Sequence, residues 1–534
     1  MKKRLIQSVA SALSVFLFAS MVSAAPPPAE EPKYDLSKDK VLYCVGYAHL
    51  DTQWRWDFCT TIDRFILDTL DQNFALFEKY PGYVFNFTGS VRYEMMKEYY
   101  PEKYERLKKY IADGRWFVSG SSVDEGDVNV PSAEAIIRQV LYGNEFFRRE
   151  FGKESVDFML PDCFGFPASM PSIWAHCGLK GFSTQKLTWG SAVGIPFKIG
   201  VWEGPDGKGV IAALDPGPYV GAIKGRVDTN EQWVERVNRN GQKYGVFADY
   251  HYYGVGDTGG APRPEDVANY LASIGNKDSQ ITVALTSSDQ MYKDITPEQR
   301  SRLPKYRGDM LLTEHSAGTL TSQAFMKRMN RKNEILADAA ERAAVAAHWL
   351  GAAEYPREKL NKAWVRTLAN QMHDILPGTS IPRAYTYSWN DEIVAANLFA
   401  EVLKDSVGAW SRALDTRVEG VPLVVYNPLA IERVDIVEAT VRFDEGEMPR
   451  AVTVFDHAGL KTPTQIIEQD GRRFRILFIA KVPPVSLSVY DIRDSTVHFM
   501  RPGEGPLKVT SHSLENERFF VSLDENGDVD SVVN

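Results

Sequence analysis

The residues of this chain that could do chemistry gather at the ends of apolar runs. The run Val41 to Ala48 leads into His49-Leu-Asp51, with Trp54 close behind. Residues two apart in extended backbone point to the same side, so an imidazole and a carboxylate are presented together. A second run, Val156 to Leu160, leads into Pro-Asp162-Cys-Phe164-Gly165. A third stretch, Asn370-Gln-Met-His373-Asp374, lies just before Pro377-Gly378, where a helix should end. Such residues suit a divalent metal ion, and paired carboxyl groups suit acid, base or nucleophilic work. Taken singly, each stretch also fits a plainer role. His49 and Asp51 could bond only each other, Asp162 could cap a helix starting near Ser169, and His373 could be satisfied inside a core.

A further stretch, His251-Tyr252-Tyr-Gly254-Val-Gly256-Asp257-Thr-Gly259-Gly260, matches GxGxxG in form. It lies late in the chain rather than in a first βαβ unit, so it reads as a flexible loop presenting Asp257, not a dinucleotide site.

The elements that must position these residues fall into three textures. From Lys40 to about Arg307 apolar strands alternate with helical patterns, among them helices over 101–113, 131–151 and 169–177. That alternation predicts a largely parallel, barrel-like β/α domain over residues 40–312, with sites at the carboxyl ends of its strands. Helical patterns over 322–350, 356–375 and 388–414 predict a three-helix bundle within 313–416. From Val421 onward the period is two, which predicts an antiparallel β-sandwich over 417–534. Asn526-Gly527 marks a hairpin near its end. Nothing closes that hairpin into a finished domain, so the β-sandwich is expected to be incomplete.

The net charge of -9 over 534 residues argues against nucleic acid as a partner. Lys2, Lys3 and Arg4 precede an apolar stretch ending at Val22-Ser-Ala24, which predicts a signal peptide over residues 1–24 and a Pro-rich tether over 25–39. The expectation is an exported protein, periplasmic or secreted, with no membrane span once the signal is removed. Cys44, Cys59, Cys163 and Cys177 form no CxxC pair, so a zinc ribbon or redox motif has no support.

Taken in order, His49-x-Asp51-x-x-Trp54, Asp162-x-Phe164-Gly165 and Asn370-Gln-x-His373-Asp-x-x-Pro-Gly resemble glycoside hydrolase family 38, the retaining α-mannosidases. Here the Gly-Asp257-Thr-Gly-Gly loop is closer to the bacterial and cytosolic-type branch. The resemblance covers nearly everything from Lys40 to the end, and family members usually continue further into β structure. It implies that His49, Asp51, Asp162 and His373 hold one divalent metal ion, most often zinc in the family. It implies that Asp162 is the nucleophile, and Asp257 is our candidate acid/base, with Asp127 and Asp249 as competitors. Trp54, Phe164, Tyr252 and Asp374 are expected to line the sugar site. The implied partner is a mannose-containing oligosaccharide or N-glycan. Two other readings of the same residues are a metal-dependent carbohydrate deacetylase and a non-catalytic glycan-binding protein.

Overall fold

The structure, a computed structural model, describes residues 32–221, 223–444, 449–495 and 507–534. The expected signal peptide and the first part of the tether lie outside the described residues.

The central strand β1 (Val41–Ala48) is buried along its whole length. It belongs to a five-stranded sheet with β2 (Phe85–Thr88), β3 (Trp116–Ser119), β8 (Ala248–Val255) and β9 (Thr282–Leu285), in which every described pairing is parallel. A second five-stranded sheet holds β4 (Asp157–Met159), β5 (Gly181–Ser183), β6 (Ile199–Glu203), β7 (Gly209–Ala213) and β10 (Lys305–Arg307). Its β6–β7 pair is antiparallel and its other pairs are parallel. The expected parallel architecture is therefore present as two facing sheets rather than one closed ring. Tyr43, Val45 and Tyr47 of β1 pack with Met159, Val201 and Ile211 of the second sheet in one core. Apolar residues on both sides of β1 explain why its sequence does not alternate.

The helix Ala133–Phe151 is capped by Ser132, whose side chain accepts from Ala135 N, and ends at Gly152. Helices Ala324–Trp349, Arg357–Ala369 and Pro382–Arg412 form the bundle. The second stops at Ala369, earlier than the pattern predicts, so His373 sits in a turn beyond it. That turn pairs with the first domain. Asp127 N donates to Gln371 O at 2.7 Å, and Gly126 and Met372 form an antiparallel bridge.

Beyond residue 420 the strands pair antiparallel, as the period-two pattern predicts. Val454, Phe474, Ile476 and Ile492 form the core between two of these sheets. Phe520–Leu523 and Val529–Val533 make the hairpin around Asn526-Gly527, within a four-stranded sheet. Among the described residues all four cysteines are free. No described helix is long and apolar enough to cross a membrane.

Candidate metal and active site

The carboxyl ends of β1, β4 and β8 and the turn after the second bundle helix meet at one place. Three overlapping trios there each hold ligand atoms within 4.8 Å of one another: His49, Asp162 and His373; His49, Asp51 and Asp257; and Asp51, His373 and Asp374. Asp51 Oδ1 lies 3.0 Å from His49 Nε2 and 3.2 Å from His373 Nε2. All three atoms are buried, yet none has a hydrogen-bonding partner.

The other ring nitrogens explain why. His373 Nδ1 lies 2.7 Å from the main-chain oxygen of Glu125. A carbonyl only accepts, so Nδ1 carries the hydrogen. His49 Nδ1 lies 3.0 Å from Glu125 Oε2 and 3.3 Å from the Tyr47 hydroxyl oxygen. The Tyr47 proton goes to Glu125 Oε1, so both neighbours of His49 Nδ1 are acceptors. Each Nε2 therefore turns a lone pair toward the Asp51 carboxylate. Lone pairs and a carboxylate held this close in a buried site require positive charge between them. Burial alone would hold His49 neutral, but Glu125 and Asp51 outweigh it and push the ring up to about 10. Against burial, His49 and His373 hold Asp51 at about 2. A cation in place of the extra protons satisfies the same demand, so the donor set fits a divalent metal ion. Burial, with Asp51 nearby, raises Asp374 to about 7.

Asp162 stands at the rim of this cluster, with Oδ1 accepting from the Lys186 ammonium at 2.7 Å. Asp257 is set beside β1 by its backbone: Asp51 N donates to Asp257 O at 2.8 Å, and Gly259 N to His49 O at 2.9 Å. The glycines of this loop serve that close approach. A Cβ on Gly254, at φ 146°, would lie 1.7 Å from Tyr47 O. The Asp257 side chain accepts from the Tyr219 hydroxyl at 2.8 Å, and Tyr219 lies with its ring 4.9 Å from that of His49.

Phe164 packs at 6.0 Å from the His373 ring. Trp54 is half-buried, edge-on to Trp56 at 6.0 Å. Tyr252 is not at the site. Alternation along β8 turns it into the core between the sheets, where it is fully buried and its hydroxyl donates to Ser183 Oγ. The competitors of Asp257 are engaged elsewhere. Asp249 is paired with Arg236 through both oxygens, and Asp127 accepts from Asn129 N and Val130 N. Glu125, Lys186 and Tyr219 were not singled out from sequence. Glu125 and Tyr219 lie in irregular stretches and Lys186 opens a single short turn, none with a period, and only the fold brings them in.

Residues 40–309 match the N-terminal domain of the glycosyl hydrolases of family 38, and residues 314–409 match the alpha mannosidase middle domain. Alpha-mannosidase G of Dictyostelium discoideum is 33% identical over 349 residues, which cover 64% of this chain and 31% of that protein. Human alpha-mannosidase 2C1 is 32% identical over 341 residues, covering 64% of this chain and 32% of that one. The chain thus spans about a third of the length of these curated relatives. The crystal structure of an alpha-mannosidase from Enterococcus faecalis V583 matches with a TM-score of 0.75 at 19% identity. That match covers 93% of this chain and 60% of the other, a likeness of fold. With the family's N-terminal and middle domains both present in order, the chain belongs to glycoside hydrolase family 38.

Proposed function

We propose that the protein hydrolyses terminal α-linked mannose from glycans with retention of configuration. The observation that supports this most is the placement of Asp162 and Asp257 around one His–Asp cluster. Each offers an oxygen within 4.8 Å of a His49 ring nitrogen. A retaining glycosidase needs two carboxyl groups about 5–5.5 Å apart, one attacking carbon and one handling the proton.

In this reading an Asp162 oxygen attacks the anomeric carbon as the bond to the leaving oxygen breaks. Lys186 fixes the other side of that carboxyl group. Asp257 gives its proton to the departing oxygen, and then takes one from the water that releases the sugar. The Tyr219 hydroxyl, bonded to Asp257 Oδ1, leaves Oδ2 to carry the proton. A divalent ion, zinc in this reading, held by His49, Asp51, Asp162 and His373, supplies fixed positive charge for substrate hydroxyls. Asp374 and Phe164 line the inner sugar site, with Trp54 at its edge.

We also read the leader over residues 1–24 as an export signal, so the substrate is met outside the cytoplasm. N-terminal sequencing of the mature protein from cell fractions tests this, and an uncleaved cytoplasmic chain contradicts it.

The test of the activity is a panel of α-linked mannobiosides with and without a chelator. Mannose should be released from at least one linkage, stop with the chelator and resume with zinc. Release of acetate from acetylated sugars instead would identify a deacetylase. Sugar binding without turnover would identify a lectin-like protein.

A further inference from the structure

We propose that the cleft between the helices of the first domain and the second bundle helix is a second binding site, for an acidic sugar: a ring of hydroxyls carrying one phosphate or carboxylate group. The cleft holds a cavity of about 480 Å³. Small-molecule sites commonly measure about 300–1,000 Å³ and favour places where domains meet. None of the lining residues belongs to the His–Asp cluster.

The walls follow from helical spacing. On the bundle helix Arg357–Ala369, Arg357, Asn361 and Val365 recur at every fourth position, with Lys362 and Arg366 beside them, so they share one face. Opposite stand Tyr142, Glu145 and Arg149 of the helix Ala133–Phe151, at the same kind of spacing. Glu94, from the helix Ser90–Tyr99, completes the charged lining.

The charges do not cancel. Arg149, Arg357, Lys362 and Arg366 stand against two carboxyl groups, in a chain whose net charge is -9. Arg149 leans toward Glu150 at 3.5 Å, and Arg366 toward Asp391 at 3.9 Å. Arg357 and Lys362 are exposed, and among the described residues their side chains make no ion pair or hydrogen bond. Two unpaired cations on one wall of a cleft suit an anion, and a guanidinium fork matches both phosphate and carboxylate.

Glu94 supplies the other half of the recognition. It is half-buried and has no ion pair or hydrogen bond among the described residues. Burial raises its pKa, while Arg149, Lys97 and Arg366 draw it down from beyond ion-pair distance. A carboxyl group that feels guanidinium groups from both walls and touches neither leaves room between them. Sugar hydroxyls suit that room, because they donate to Glu94 and to the exposed Glu145 and bond the amide of Asn361. The half-buried rings of Tyr142 and Tyr355 offer flat surfaces to the C–H face of a sugar. A bare anion makes none of these contacts and meets Glu94 as a like charge.

Calorimetry on the metal-loaded enzyme tests the site with four probes: glucose 6-phosphate, glucuronate, glucose and inorganic phosphate. At least one of the two acidic sugars should bind, one molecule per chain, and which of them binds identifies the charged group. Glucose and inorganic phosphate should each bind about tenfold more weakly or worse. Arg357→Gln/Lys362→Gln, which changes exposed residues only, should weaken the acidic sugar by about 10–100-fold with an unaltered thermal melt. Glu94→Ala should weaken the acidic sugar but not inorganic phosphate. Asp162→Asn should bind the acidic sugar as wild type does, because the two sites are separate. Failure of both acidic sugars to bind, equal binding of glucose or of inorganic phosphate, or unchanged affinity in the folded double variant overturns the proposal. Loss of binding in Asp162→Asn would place the sugar at the His–Asp cluster and overturns it equally.

Discussion

Glu125 accepts the Nδ1 hydrogen of His373 through its main-chain oxygen, at 2.7 Å, across the junction of the sheet domain and the bundle. Its carboxylate at the same time lies 3.0 Å from Nδ1 of His49. One residue thus sets the ring orientation of both histidines. Its carboxylate is in turn held by Arg92, Tyr47 and Thr88, all buried.

Glu125→Gln should therefore weaken metal binding while leaving the main-chain half of the arrangement in place. Loss of such outer partners typically costs about 10–100-fold in affinity. Competition against a fluorescent chelator measures this directly. The apo variant should keep the wild-type circular dichroism spectrum. Unchanged affinity in a folded variant would mean that His49 needs no help from Glu125.

How much of this site was legible in the sequence differs residue by residue. His49, Asp51 and Asp162 stood out because each closes a strand whose apolar run is visible by itself. Asp257 was flagged by its glycines, although their reason, contact between β8 and β1 at Gly254, needed the structure. The convergence of His373 depends on the pairing of residues 370–373 with 125–127, which no local pattern encodes. Glu125 and Tyr219 were invisible for the same reason. Tyr252 was misplaced because the glycines after it drew attention to the loop. Strand alternation, which turns Tyr250 and Tyr252 to the same core face, decides its position. The second bundle helix ends at Ala369 rather than 375, and the third begins at Pro382 rather than 388, where a proline in the first turn was the start signal passed over.

The roles of the two carboxylates separate by leaving group. Asp162→Asn should abolish turnover on every substrate. Asp257→Asn should lose about 10²–10⁴-fold on a mannobioside, which needs an acid to depart. On an activated aryl mannoside the first step should survive, covalent intermediate should accumulate, and azide should restore turnover. Equal losses on both substrates without azide rescue would remove Asp257 from proton transfer.

A buried acid in the bundle predicts a pH dependence of stability. Burial raises Glu392 to about 8, against an ordinary value of 4.5. Between those values the folded chain holds a proton that the unfolded chain releases. This contribution is therefore most favourable below about pH 4.5 and is lost progressively as pH rises toward 8. Glu392→Gln removes the titration, so it should stabilise the chain by on the order of 2 kcal/mol at pH 8 and by little at pH 4.5. Thermal melts at the two pH values check this. An equal shift at both would show that Glu392 is not held protonated.

The central claim is that Asp162 forms the bond to the sugar. Incubating the enzyme with a fluorinated mannosyl fluoride, followed by proteolysis and mass spectrometry, tests it most directly. The account predicts one added fluoromannosyl group on the peptide containing Asp162, and none in Asp162→Asn. Turnover of a mannoside without any such adduct, or an adduct on a different carboxylate, would contradict it.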